Sequence, residues 1–248
     1  MYYKTTGLVL RETEYKDADK LLTVLTPDRG KVTLRARGVR STSSKLKAGC
    51  QLLTYSEFTI FEGRGTQTVD EAVPIELFMP LREDIELLAL ASYFAQVAEV
   101  LSQEDDPSDA LLSLSLNGLM ALSRNNRPKR LVKSAFELKA ACIAGYEPML
   151  DCCGVCGNDA PDRFHISGGV LQCAQCLLPG ESGIRLPISP GTLAAMRYIA
   201  NCETKRLFSF RLNASSEKEL SDLSETYLLT QLERGFFTLD FYKSLQIT

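Results

Sequence analysis

Two Cys-x-x-Cys pairs, Cys153-Gly154-Val155-Cys156 and Cys173-Ala174-Gln175-Cys176, stand 16 residues apart, and no other feature restricts the fold of this chain as strongly. Two residues between cysteines let both thiolates of a pair point at one ion, and an intervening stretch of roughly 15–20 residues brings the second pair to the same ion. Four thiolates fill a tetrahedral zinc sphere and leave no position for water or substrate, so the predicted cofactor is one structural Zn2+. Gly154 and Gly157 can supply the dihedrals of a tight knuckle. Pairing Cys152 with Cys156 would leave three residues between them, and Cys152 is left out of the ligand set. Half of the eight cysteines fall in these pairs, which favours metal in a reducing compartment over disulfides. A redox Cys-x-x-Cys normally occurs singly beside a βαβ pattern, and none is visible. Cys50, Cys142 and Cys202 lie among apolar residues and read as small buried hydrophobes. The surrounding module, about residues 147–188, is rich in Gly, Pro and Cys with little periodicity. Metal rather than apolar burial is expected to hold it together.

The rest of the chain falls into two parts. Gly7–Leu10, Leu21–Leu25, Lys31–Arg37 and Leu52–Phe61 are short β-branched or aromatic runs, separated by the turn signals Thr26-Pro27-Asp28-Arg29-Gly30 and Gly63-Arg64-Gly65. Four or five close strands followed by helices predict an α+β chain with a small N-terminal barrel, placing a domain boundary at about residue 80. After Met79-Pro80 the period becomes helical, with Ile85, Leu88, Ala91, Ser92 and Ala95 on one face. Asp106-Pro107 is expected to open the next helix, Asn125-Asn126-Arg127-Pro128 to separate another running to about Gly145, and Ser189-Pro190 and Ser216-Glu217-Lys218-Glu219 to open two later ones. The expected division is therefore a barrel domain, 1–80, and a helical domain, 81–248, containing the zinc module. With 45% hydrophobic and 24% charged residues the composition is globular rather than disordered. No stretch approaches the roughly 20 apolar residues of a bilayer-spanning helix, and no signal-peptide pattern opens the chain, so a cytoplasmic location is expected.

A net charge of −3 conceals an uneven distribution: residues 1–80 carry 12 basic and 10 acidic groups, whereas the remainder carries 16 and 21. From Arg29 to Ser56 there are seven basic residues and no Asp or Glu. Alternation puts Lys31, Thr33, Arg35 and Arg37 on one face of a strand whose other face is Val32, Leu34 and Ala36. Beyond Gly38 a Ser-rich loop carries Arg40, Lys45 and Lys47. With no carboxylate nearby in sequence, this surface is expected to bind phosphate, with affinity driven by counterion release. Trp is absent, so any base stacking falls to Tyr15, Tyr55, Phe58 or Phe61. A second basic stretch holds Lys129, Arg130 and Lys133 beside the apolar stripe Leu131, Ala135, Leu138 and Cys142, and reads either as a site for an acidic ligand or as a solvated face.

No catalytic constellation is found. The single histidine, His165, reads as a loop residue, and nucleophile-elbow, phosphate-loop and dinucleotide fingerprints are missing. The open alternative to a nucleic-acid binder is a zinc-ribbon transcription or protein-interaction module.

The segment Gly7-Leu8-Val9-Leu10-Arg11, Tyr15, Asp19, Lys20 to Thr26, Gly30-Lys31 and Ala36-Arg37-Gly38 resembles the N-terminal signature of RecO proteins, and Gly145-Tyr146-Glu147-Pro148-Met149-Leu150 before Cys153 resembles the family's entry into its zinc module. The resemblance implies an OB-fold barrel joined to a helical domain and a non-enzymatic role in recombinational repair. Binding of single- and double-stranded DNA, strand annealing, cooperation with RecR, and replacement of single-strand-binding protein by RecA are implied with it. By that resemblance DNA contact falls on Lys31, Arg35, Arg37, Arg40, Lys45 and Lys47. The acidic C-terminal tail of single-strand-binding protein falls on Lys129, Arg130 and Lys133.

Overall fold

The computed structural model describes residues 1–63, 65–176 and 183–246, which form two compact units. In the first, β1 (Tyr2–Tyr15), β2 (Asp19–Thr26), β3 (Gly30–Ala36), β4 (Tyr55–Gly63) and β5 (Thr66–Glu76) close into a barrel in the order β1-β2-β3-β5-β4. The long β1 serves both sides: Tyr2–Leu8 pair with β4, and from Leu8 onward the strand pairs with β2, the register shifting between Val9 and Arg11. A bulge there bends the strand around the barrel. Gly7 permits the closure, since a Cβ on it would lie 2.4 Å from Val24 Cγ1. The barrel closes through a short parallel contact, Leu34 with Gln67 and Arg35 with Thr68. Its core includes Val9, Leu22, Val24, Leu34, Phe58 and Ile60, each worth about 1.5–3 kcal/mol once buried.

The predicted alternation holds along β3, where Val32, Leu34 and Ala36 are buried and Thr33 is exposed. β4 starts at Tyr55 rather than Leu52, because Leu53 adopts a left-handed conformation (φ 62°) that ends extended pairing before it. Of the predicted turn Gly63-Arg64-Gly65, Gly65 has φ 73° and Arg64 lies outside the described residues.

The change of period at Met79-Pro80 ends the barrel without ending the compact unit. Helices α1 (Met79–Glu83), α2 (Ile85–Leu101) and α3 (Asp109–Arg124) belong to it, and α2 packs on β1 and β2. Asp106-Pro107 does not open α3, which begins two residues later with the Ser108 carbonyl accepting from the Leu112 N–H. The intervening backbone is engaged by the barrel. The Gln103 carbonyl accepts from the Lys31 N–H at 2.9 Å, and the Asp105 N–H donates to the Arg29 carbonyl at 3.1 Å. Gly30 allows this approach, since its Cβ would meet the Asp106 carbonyl oxygen at 2.3 Å.

The second unit, Asn125–Gly235, contains α4 (Lys129–Ile143), a sheet of β6 (Met149–Cys153), β7 (Arg163–His165), β8 (Val170–Gln172) and β9 (Arg185–Pro187) in the order β6-β8-β7-β9, then α5 (Pro190–Asn201) and α6 (Ala214–Gln231). The cysteine-rich segment thus has strands and its own apolar residues: Leu150, Phe164, Ile166 and Leu171 are buried, and Phe164 meets Tyr227 edge-on at 5.4 Å. An apolar core thus contributes to a segment whose cohesion the sequence assigns to metal alone. His165 sits on β7 and is buried, not in a loop. Ser189 caps α5 as expected, but α6 is capped by Asn213, whose side chain accepts from the Ser216 N–H. Glu219, the expected partner of a Ser216 cap, is drawn to the α5 N-terminus instead, where it accepts from Ser189 and Thr192. The chain then returns to the first unit as α7 (Phe237–Leu245), which packs on α2 with Thr238 hydrogen-bonded to Gln96. Among the described residues no helix is long and apolar enough to cross a membrane.

Candidate metal centre and basic surface

The two cysteine pairs are brought together by the parallel register of β6 and β8, which sets Cys153 beside Leu171. Each pair then turns tightly: the Gly157 N–H donates to the Cys153 carbonyl and the Cys176 N–H to the Cys173 carbonyl, both at 2.9 Å. Gly157 takes the left-handed conformation (φ 72°) that this turn requires, whereas Gly154 does not. The sulfurs of Cys153, Cys156, Cys173 and Cys176 all lie within 4.8 Å of one another, with Cys156 and Cys173 3.8 Å apart. Tetrahedral Zn–S bonds of about 2.3 Å imply sulfur separations of roughly 3.8 Å, so the four residues fit that ion. Burial opposes a charge on Cys153, yet the N–H groups of Cys156, Val155 and Cys173 converge on its sulfur and pull the thiol down to about 6. The Cys176 thiol is pushed up to about 12 by its hydrogen bond to Cys156 and by burial. Four sulfurs this close cannot all ionise unless a cation lies among them. The Asn158 side-chain N–H donates to Cys173 Sγ at 3.2 Å, a neighbour the sequence does not reveal.

The basic segment divides into engaged and free cations. Arg35 Nε and Nη2 both donate to Asp19 Oδ2, at 2.8 and 2.6 Å, while the Gly38 N–H donates to the other oxygen at 2.8 Å. The expectation that Arg35 lacks a carboxylate partner is thereby corrected. Asp19 lies outside the Arg29–Ser56 window and reaches Arg35 through the β2–β3 register, in which Lys20 opposes Ala36 and Leu21 opposes Arg35. Lys31 is also engaged, its Nζ donating to the Glu99 carbonyl at 3.0 Å, and Arg40 pairs with Glu14 at 3.2 Å. Arg37, Lys45 and Lys47 are exposed, and their side chains make no ion pair or hydrogen bond among the described residues. Beside β3 runs a cleft of about 460 Å³ lined by Lys31, Thr33, Arg35, Thr66, Gln67 and Glu104.

The Gly38 N–H and then Arg35 hold the Asp19 carboxyl below the usual carboxylate range. A depressed folded-state value contributes stability above the unfolded value near 3.8 that is lost as pH falls through the lower folded value. Asp19→Asn is expected to flatten the acid limb of stability below about pH 4. An unchanged acid-unfolding curve argues against the clamp.

Lys129, Arg130 and Lys133 do not form one surface. Lys133 is 4% exposed, with Nζ 2.8 Å from both Glu137 Oε1 and Glu225 Oε2. Its side chain is committed to the interior of the second unit and is withdrawn from any partner-binding role. Arg130 is exposed and Lys129 half-buried.

Residues 1–78 match the family model described as recombination protein O N terminal, and residues 82–240 match the one described as recombination protein O C terminal. The chain is similar to a DNA repair protein RecO of Acetivibrio thermocellus, 34% identical over 247 residues, which cover 98% of this chain and 97% of the relative. It is also similar to those of Alkaliphilus metalliredigens, 30% identical with 99% and 100% covered, and Symbiobacterium thermophilum, 31% identical with 98% of each covered.

Proposed function

The chain belongs to the RecO family of DNA repair proteins, and from that premise we propose that it is a DNA-binding recombination mediator that works by binding and annealing strands, not by bond chemistry. The observation that carries this reading is the set of free cations, Arg37, Lys45 and Lys47, on the excursion between β3 and β4. Strand order β1-β2-β3-β5-β4, with β3 parallel to β5, supports assigning the barrel to the OB type, whose β2–β3 face and flanking loops take oligonucleotides. In this reading the protein binds single- and double-stranded DNA and, with RecR, assists loading of RecA onto strands covered by single-strand-binding protein. One structural zinc occupies the four cysteines. With Lys133 withdrawn, the acidic tail of single-strand-binding protein is assigned to the exposed Arg130, next to Lys129 at the start of α4.

The test is annealing of complementary oligonucleotides without any nucleotide cofactor, which the protein is expected to accelerate. Replacing Arg37, Lys45 and Lys47 together by Ala is expected to weaken DNA binding across unrelated sequences. It should also lower the log–log salt slope on single strands by about 2, at about 0.7 per lost phosphate contact. Wild-type affinity and slope in the folded triple variant would overturn the assignment.

A further inference from the structure

We infer that Tyr15 stacks on an unpaired base, so that the β1–β2 turn makes the barrel select single-stranded over double-stranded DNA; the inference rests on the DNA-binding reading above. Of the four aromatic candidates, Phe58 is fully buried in the core. Tyr55 is half-buried, and Phe61 already lies against Tyr2 with ring centroids 5.1 Å apart. Tyr15 ends β1 at the tip of the β1–β2 hairpin and is 36% exposed.

Its surroundings suit a nucleotide. The Arg35 guanidinium lies 5.3 Å from the ring centroid and the Lys16 ammonium 5.4 Å from it. Arg35 has its charge taken by Asp19 and so supports the ring rather than a phosphate. Lys16 is exposed and can swing from the ring to the phosphate of a stacked nucleotide. The excursion that carries the free cations is fastened beside this turn: the Arg40 N–H donates to the Ala18 carbonyl at 3.0 Å, and the Gly38 N–H to Asp19. Arg37 precedes that fastening by one residue. A backbone held at Arg37 is therefore brought to the turn that carries the Tyr15 ring. The cleft beside β3 is lined by Lys31 and Arg35 as well as by Glu62, Glu104 and Asp105, and both of these cations are already engaged, so the free cations lie on the excursion.

Stacking on a protein ring needs an open base face. A single strand offers one at every nucleotide, whereas a duplex has its faces covered by neighbouring pairs and must be opened first. The cations serve both forms alike, because they meet phosphate.

The experiment measures the affinity of the full chain for a mixed-sequence single strand and for the matching duplex at one fixed salt concentration. Tyr15→Ala is expected to weaken single-strand binding about fivefold or more while leaving duplex affinity and the salt slope in place. Tyr15→Phe keeps the ring and is expected to bind as wild type. Tyr15→Leu keeps bulk beneath Arg35 without a flat face and is expected to lose single-strand affinity as Tyr15→Ala does. Wild-type single-strand affinity in Tyr15→Ala, or equal losses on both forms, overturns the inference alone. A wild-type protein that binds neither form overturns the DNA-binding reading as well.

Discussion

Protein purified without added metal is expected to carry one zinc per chain, and stripping it is expected to undo the β6–β9 sheet before any other part of the fold. Three of its strands have only three residues, and the parallel contact of β6 with β8 rests on Met149 with Val170 and Cys153 with Leu171. Ladders this short do not hold themselves. A structural zinc contributes about 10–16 kcal/mol at neutral pH, against the few kcal/mol available from burying Leu150, Phe164, Ile166 and Leu171 after chain entropy is counted. Cys173→Ser removes one of four ligands and the acceptor of the Asn158 side chain. It is expected to lower metal content steeply and to expose the amides of Met149–Gln172 to hydrogen exchange. The barrel core is built wholly from residues of the first unit, and the amides of Val24, Leu34 and Ile60 should keep their protection. A folded, protected β6–β9 sheet in zinc-free protein would falsify the metal assignment.

What could be read from sequence, and what could not, follows from how far apart the interacting groups lie along the chain. The knuckles were legible because ligand spacing is local, and β3 because period 2 within seven residues sorts Val32, Leu34 and Ala36 from Lys31, Thr33 and Arg35. Charge balance was not legible in the same way. A window free of carboxylates says nothing about the neighbouring strand, and Asp19 reaches Arg35 only because the hairpin register brings the start of β2 to the end of β3. The strands β7 and β8 of the cysteine-rich segment leave no mark in the sequence, because three residues are too few to show a period. The sequence pattern puts the cap of α6 three residues too late, because Ser216 and Glu219 match a capping box that Asn213 pre-empts. Membership of the first unit by α7 left no local signal at all, since its partners on α2 lie some 140 residues away, as in the bond from Thr238 to Gln96.

Removing Lys133 is expected to cost the second unit about 3–5 kcal/mol, the range for breaking a buried ion pair on one side only. Glu137 is fully buried, and its two oxygens are served by Lys133 Nζ at 2.8 Å and by the Ser224 hydroxyl at 3.1 Å. Lys133→Ala takes away the positive charge and leaves a carboxylate in the interior, where α4 is buried along Leu131–Leu138. The i, i+4 spacing of Lys133 and Glu137 is visible in the sequence, but an exposed pair at that spacing contributes only about 0.3–0.5 kcal/mol. Burial and the second carboxylate, Glu225 from α6, make this pair different. Burial alone would lower the Lys133 value, yet Glu137 and Glu225 hold it above its ordinary 10.5. A raised folded-state value means that its contribution is fully present below pH 10.5 and is lost only as pH rises through the higher folded value, so urea unfolding at pH 7 reads the intact network. The decisive comparison is with Lys133→Met combined with Glu137→Leu, which removes both charges and fills similar volume. That double variant is expected to recover most of the loss, because apolar replacement of a whole buried pair is often neutral or better. A Lys133→Ala midpoint close to wild type would show that solvent reaches Glu137. A double variant as unstable as the single one would show that the network's geometry, rather than the stranded charge, sets the cost.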